Sequence, residues 1–388
     1  MRIRELNAWP TDPGAAAHLR DEWNALLAST EQATVFQGYD WHAAWWECFG
    51  GGHELHLLLV YEHGGELSGI APLMIERRHR FGIAQRRLML VGTANHATDY
   101  ADVIVARGHA RPRQAVLEWI RAHTALWTQI ELRNLPANSP MLALLADTPK
   151  LPQPLVECAA EAPTRLLGDA AADRAAINKR SLRRHVNGFL RDGDLRFVRL
   201  RDPVQIDLHC GRFFEQHVGR WEHTDTPSLF RDPAQRRFYR ALAQRLAGSG
   251  ALHFSVVLFD GLPIAYHFGF ECNGVLTWYK PSFDIALAKR SPGEVLLRFL
   301  LEDACGRGLR ELDFTVGSEA FKYRFANRVR RVYRVRVWRR GWERAPALLL
   351  AALKQRLRAR RDAGAAPALT PSRSDDRAGA GTRPARST

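Results

Sequence analysis

The chain is poor in the residues that would staple or thread it. Its 388 residues contain only five cysteines, and no two of them form a Cys-x-x-Cys pair. The odd count and wide spacing of Cys48, Cys158, Cys210, Cys272 and Cys305 exclude a disulfide framework and a zinc ribbon. Apolar runs are also short, the longest being Ala345 to Leu353, where a membrane span needs about 20 residues. The N-terminal residues Met1 to Trp9 have no apolar leader core, so a cytoplasmic protein is expected. Acidic residues are scarce as well, 41 against 56 Lys plus Arg, which gives a net charge of +15.

That charge is unevenly placed. Residues 330 to 388 carry +12 and residues 1 to 329 only +3. The nearly neutral body shows no cationic element suited to reading a duplex, so nucleic acid is not the expected partner. In the tail, the apolar stretch 345–353 runs into the basic stretch 354–361, which suits an anionic membrane surface or docking on the protein's own body.

The length implies two domains and a tail. The boundaries expected are residues 1–150, a linker at 151–173, a second domain at 174–342, and a basic tail at 343–388, partly helical and then disordered. In the first part, Trp41, Trp45 and Phe49 recur at helical spacing. They make an aromatic face, read as a core stripe or a ligand platform. Leu55 to Tyr61 and Leu67 to Leu73 flank a glycine turn. Leu252 to Phe259 and Pro263 to Phe270 repeat that strand-turn-strand grammar 197 residues later, which suggests two copies of one fold. The fold class expected is α/β with mixed sheets, the second copy continuing as strand, helix from Pro292, strand, short helix, strand.

The most informative stretch is Arg290-Ser291-Pro292-Gly293-Glu294. Ser291 is a natural N-cap, Pro292 suits the first helical position, and Glu294 completes a capping box. Gly293 leaves backbone amides open to an anion at the positive end of the helix, and Arg290 adds a cation. A plain, well-capped helix is the alternative.

This stretch, with Gly308 to Phe314 and Gly317 to Tyr323 after it, resembles the GNAT superfamily of acyl-CoA-dependent N-acyltransferases. The narrower resemblance is to the CelD-like proteins of cellulose and exopolysaccharide biosynthesis, related in fold to the FemABX transferases. It implies two GNAT-like domains in tandem and a pyrophosphate cradle for acetyl-CoA or another acyl-CoA at residues 290–294. Arg290 and Gly293 match the family's Arg/Gln-x-x-Gly-x-Gly/Ala pattern, whereas Val295 stands where the family has Gly or Ala. It also implies a small-molecule or glycan-related amine acceptor and a tyrosine that protonates the leaving thiolate, the position Tyr323 occupies. Glu319, Glu271 and His267 are candidate bases, a water being the alternative. Lys322 is a candidate for contact with an anionic substrate, and so are Lys179 and Arg183 of the cationic run 179–185. A packed aromatic and solvated cations are the other readings of these residues. No metal is implied, and His53-Glu-Leu-His56 lacks the helical i, i+4 pair of a metal site. A FemABX-like aminoacyl-tRNA-dependent transferase and a non-catalytic interaction module remain the alternative functions.

Overall fold

In the computed structural model, the described residues are 1–345, without 31–32, 81–82, 96 and 147–150, together with residue 348. The chain divides into a compact unit, Met1–Arg339, and a second unit from Arg340 onward. Of the second unit, the 3-10 turn Gly341–Arg344 is described. Most of the tail expected to be helical and then disordered lies outside the described residues.

Within the first unit the element order repeats. The first half runs β1 (Arg2–Leu6), α1 (Pro13–Ala28), α2 (Tyr39–Phe49), β2 (His53–Tyr61), β3 (Leu67–Arg80), β4 (Ile83–Leu90), a short β5 (Ile104–Val105), α3 (Arg111–Ala122), β6 (Gln129–Pro136), α4 (Pro140–Ala146) and β7 (Leu155–Leu166). Helices α5 (Ala170–Ile177) and α6 (Arg180–Asp192) follow. The second half is β8 (Leu195–Leu200), α7 (Pro203–Arg220), α8 (Pro233–Ala247), β9 (Leu252–Phe259), β10 (Leu262–Cys272), β11 (Val275–Phe283), α9 (Pro292–Gly306), β12 (Glu311–Asp313), α10 (Ala320–Phe325) and β13 (Arg328–Trp338). Apart from β5, both halves read strand, two helices, three strands, helix, strand, helix, strand. The two similar hairpins of the sequence are β2–β3 and β9–β10.

The halves share one sheet in the order β1-β2-β3-β4-β6-β13-β7-β12-β11-β10-β9-β8, with β5 beside β3. Each half gives its last strand to the other: β13 pairs with β6, and β7 with β12. The two exchanged strands pair with each other along Leu155–Thr164 and Arg328–Arg336. Residues 151–173, expected as a linker, therefore contain a central strand. A proline-rich approach concealed it, because Pro149, Pro152 and Pro154 precede a run whose alternation is broken by the alanines at 159, 160 and 162.

Three apolar clusters cover the sheet. On one face the first half's aromatic helix meets the second half: Trp41 packs edge-on against Phe238 and Phe270 at centroid separations of 5.4 and 5.6 Å. The stripe at Trp41 and Trp45 is thus core. Helix α9 forms on the opposite face because Val295, Leu296, Leu297, Leu300, Leu301 and Ala304 bury one stripe against α6 and the sheet. Each of those leucines contributes about 1.5–3 kcal/mol by burial. Gly308, at φ +66°, ends it in the left-handed conformation that glycine adopts without strain.

Candidate active site

The site begins with an irregularity in the sheet. On β10, Phe270 pairs with Thr277 and Phe268 with Lys280, so two residues of β11, Trp278 and Tyr279, stand opposite the single Gly269. Such a bulge bends a strand and reverses which face the following side chains take. Leu276 and Trp278 join the α9 cluster, whereas Lys280, beyond the bulge, shares the face of Phe268. Only glycine fits opposite: a Cβ at 269 would lie 2.3 Å from the Thr277 carbonyl oxygen and 2.2 Å from the His267 ring.

The bulge also ends the sheet locally. β11 pairs in parallel with β12 only over Val275–Thr277 and Glu311–Asp313. The chain then follows β7 instead, with the Phe314 and Gly317 amides donating to the Pro163 and Glu161 carbonyls at 3.0 and 2.9 Å. β11 runs on to Phe283 without that neighbour, and the two strands splay. Helix α9 opens shortly after β11 ends, with Gly293 packed against the Phe283 ring.

A cluster of charges occupies the splay. Lys322, 4% exposed, donates to the Val316 carbonyl at 3.1 Å and pairs with Glu319 at 2.9 Å. Asp99, from the first half, faces Lys280 and Lys322; burial pushes its carboxyl above the ordinary range, and the two ammoniums pull it partly back. Burial likewise pulls Lys280 below the usual lysine range. Next to them, burial lowers His217 to about 3 and Arg220 to about 10. Tyr100 donates to Asp313 at 2.9 Å, and burial raises Asp313 to about 6. Tyr279 donates to the Ala97 carbonyl and shares a 2.8 Å hydrogen bond with Tyr239, so the loop 97–100 of the first half is fastened into the second.

The residues singled out in the sequence fall into separate places. Glu319 and Lys322 belong to this cluster. Glu294, Gly293 and Pro292 form the first turn of α9, where the Gly293 N–H has no acceptor among the described residues. The capping box does not form: Ser291, at φ 57°, also ends the 3-10 turn Ile285–Arg290, and its hydroxyl makes no cap bond. Glu294 instead pairs with Arg324 at 2.9 Å and lies 3.6 Å from His185. Arg290 turns away to α6, pairing with Asp192 at 2.8 Å over the Phe189 ring, so its guanidinium is not a clamp at the helix mouth. Lys179 donates to the Arg324 carbonyl and lies 4.6 Å over Phe325, securing α10; Arg183 is exposed.

Tyr323 projects from the other side of α10, 38% exposed, and donates to Glu161 at 2.5 Å, a bond that raises its pKa. Glu271 lies at the hairpin end of β10, opposite Leu276 and beside the C-terminus of α9, where it is neutralised by Arg307 at 2.6 Å and Arg199 at 3.4 Å. Thirteen residues of helix, 294–306, separate Gly293 from the Arg307 that holds Glu271, about 20 Å. Asp99, Lys280 and Asp313 escaped the sequence reading. Lys280 carried a signal, a lone charge inside an aromatic strand. Asp99 carried none, since its partners lie 181 and 223 residues away.

A repeated unit with a bulged strand splayed from its parallel neighbour, and a helix opening at the splay, defines an acyltransferase fold of the GNAT class. The acetyltransferase (GNAT) domain family matches residues 178–323, which span α6 to α10, so the chain carries a GNAT-fold domain there. No curated protein is significantly similar in sequence. Among solved structures, FemX superposes with a TM-score of 0.56 at 10% identity, over 86% of this chain and 97% of that one. L-PGS from Bacillus licheniformis gives 0.56 at 12% identity, over 91% and 98%. The C-terminal domain of a protein assigned as a lysylphosphatidylglycerol synthetase, from Agrobacterium fabrum, gives 0.53 at 13%, over 87% and 96%. At these identities the likeness is one of fold.

Proposed function

We propose that the protein transfers an acyl group from acyl-CoA to an amine acceptor, in envelope or exopolysaccharide metabolism. The observation that carries this is the splay of β11 from β12 beside the free first turn of α9. The GNAT domain match supports acyl transfer. The names of the lysylphosphatidylglycerol synthetase relatives, which point to a membrane lipid, lend support to an envelope role.

The residues at α9 suit a diphosphate in part. The Gly293 amide is free and no Cβ obstructs it, so Gly293 would hold that group by its backbone, whereas the Glu294 amide already donates to the Ser291 carbonyl at 3.0 Å. Bound acyl-CoA supplies an acyl group activated as a thioester. The protein's own part is to leave β11 beyond Thr277 without a paired strand, apart from the Thr315 hydroxyl on the Trp278 carbonyl, so that a backbone amide there can polarise a carbonyl. Asp99 and Glu319 are the carboxylates placed to take the proton of an incoming amine, and Lys280 and Lys322 hold positive charge beside the developing anion. Tyr323, the acid that would protonate the leaving thiolate, donates to Glu161 and would give up that bond to do so.

Acetyl-CoA is expected to raise the melting temperature of the wild-type protein and to leave that of Gly293→Trp unchanged. Absence of a shift with acetyl-CoA and with longer acyl-CoAs would count against a CoA donor. It would favour the second reading, an aminoacyl donor, for which the diversion of Arg290 to α6 is the supporting observation. The part of the basic segment beyond β13, where residues 344–388 hold ten Lys plus Arg against three acids, is proposed to hold the protein at an anionic membrane surface from the cytoplasmic side. Deletion from Arg344 should abolish sedimentation with anionic liposomes; unchanged sedimentation would leave the tail no such role.

A further inference from the structure

Residues 1–329 carry a net charge of only +3, yet residues 174–191 hold six Lys plus Arg and no acid. Helix α6 turns most of that surplus to one side. Arg180, Arg183, Arg184, Asn187 and Arg191 fall within about a third of its circumference, and all five are exposed. Leu182, Val186 and Phe189 fill the opposite side and share a core cluster with α9. Among the described residues, none of these four arginines has an ion pair or a side-chain hydrogen bond. Their neighbours Arg290 and Arg324, by contrast, each hold a carboxylate. Arg183, expected to meet an anionic substrate, belongs to this outward stripe, which is about 17 Å long.

Guanidiniums fixed on a packed helix without counter-charge are complementary to a surface of phosphates, because each planar fork offers parallel donors to phosphate oxygens. A lipid surface fits better than a nucleic acid. The stripe carries no aromatic ring on which a base could stack, and Leu190 at its margin, 55% exposed, offers an apolar group to the boundary between headgroups and chains. We infer that the outer face of α6 docks the folded body on an anionic phospholipid surface. The contact is chiefly electrostatic, since the apolar side of the helix is spent on the core. The inference deepens the envelope reading and rests on it only in taking lipid headgroups as the source of phosphate.

Sedimentation of the full chain with vesicles of one part phosphatidylglycerol to three parts phosphatidylcholine tests it. A cation near such a surface strengthens binding about fivefold, so Arg183→Gln/Arg184→Gln/Arg191→Gln should bind roughly a hundredfold more weakly than the wild type. Arg212→Gln/Arg231→Gln/Arg237→Gln removes the same charge from exposed positions on the α7–α8 side, across the sheet, and should bind within about twofold of the wild type because salt screens charges so distant. Circular dichroism melts report on folding, and if the α6 triple variant fails to fold, Arg184→Gln alone should still show the loss of about fivefold. Wild-type affinity in the α6 variant, or equal loss in the two triple variants, would overturn the inference, the latter by tracing binding to net charge alone. Unchanged vesicle binding with loss of tRNA binding in a gel shift would make the stripe an RNA surface instead, and with loss of the acetyl-CoA melt shift would give it to the donor. Deletion from Arg344 separates the two membrane readings. If it leaves sedimentation unchanged while the α6 variant loses it, the tail reading falls and this one stands; loss on deletion with none in the α6 variant strikes this face alone.

Discussion

At the scale of single residues, this protein buries carboxyl groups in the loop between β4 and β5 of its first half. Asp102, 8% exposed, accepts the Val103 amide at 2.8 Å, and burial raises its pKa from 3.8 to about 6. A carboxyl whose folded pKa is raised favours folding when protonated. That contribution is present in full below pH 4 and lost as pH rises through 6. At neutral pH the ionised group therefore costs stability, by up to about 3 kcal/mol for a shift of this size. Asp102→Asn keeps an acceptor for the Val103 amide and removes the charge. It should raise stability in urea at pH 7.5, with the gain shrinking to nothing near pH 4; a gain independent of pH would show that the charge is not its source. The same residue scale explains the gaps in the sequence reading. Arg290 matched a pattern by its position, but a guanidinium has a long reach, and Asp192 and Phe189 on α6 drew it the other way.

At the scale of elements, the bulge in β11 decides the site, and Gly269 permits it. With backbone within 2.3 Å of any added Cβ, Gly269→Ala must push Thr277 aside or re-register the hairpin. Overpacking of this kind costs about 1–3 kcal/mol, and here it also closes the splay. The variant should unfold at lower urea concentration and lose any acetyl-CoA shift; a variant destabilised but still binding would place the cofactor elsewhere. Strands and helices of the second half were legible because their signals are local: apolar runs bounded by glycine for β9 and β10, and Pro292 opening an apolar stripe for α9. The bulge was not legible, since an extra residue on one strand is defined only by its partner. Ser291 shows the same limit. Its place before Pro292 marks the helix start, yet it also closes the preceding turn, and its left-handed backbone leaves the capping box unmade.

At the scale of the whole molecule, the exchange of β7 and β13 makes the halves interdependent. Residues 1–168 alone would leave β6 without β13 and present β7 as an unpaired edge, and residues 169–345 alone would lack β7 between β12 and β13. Exposed strand edges of this kind aggregate. Each piece should be insoluble when expressed separately, while coexpression should give a soluble one-to-one complex, read by size-exclusion chromatography. A monomeric, folded 1–168 fragment would show that the exchanged strand is dispensable.

The sequence by itself determined the repeated hairpins, the GNAT-like order of the second half, the glycine at the start of α9 and the confinement of the surplus charge to the end of the chain. These follow from periodicity, turn chemistry and composition, which act over a few residues. Tertiary structure alone decided that the presumed linker is a central strand and that Asp99 meets Lys280 and Lys322. Strand exchange and the packing of one half against the other bring together groups distant in the chain, and no local pattern records such a meeting.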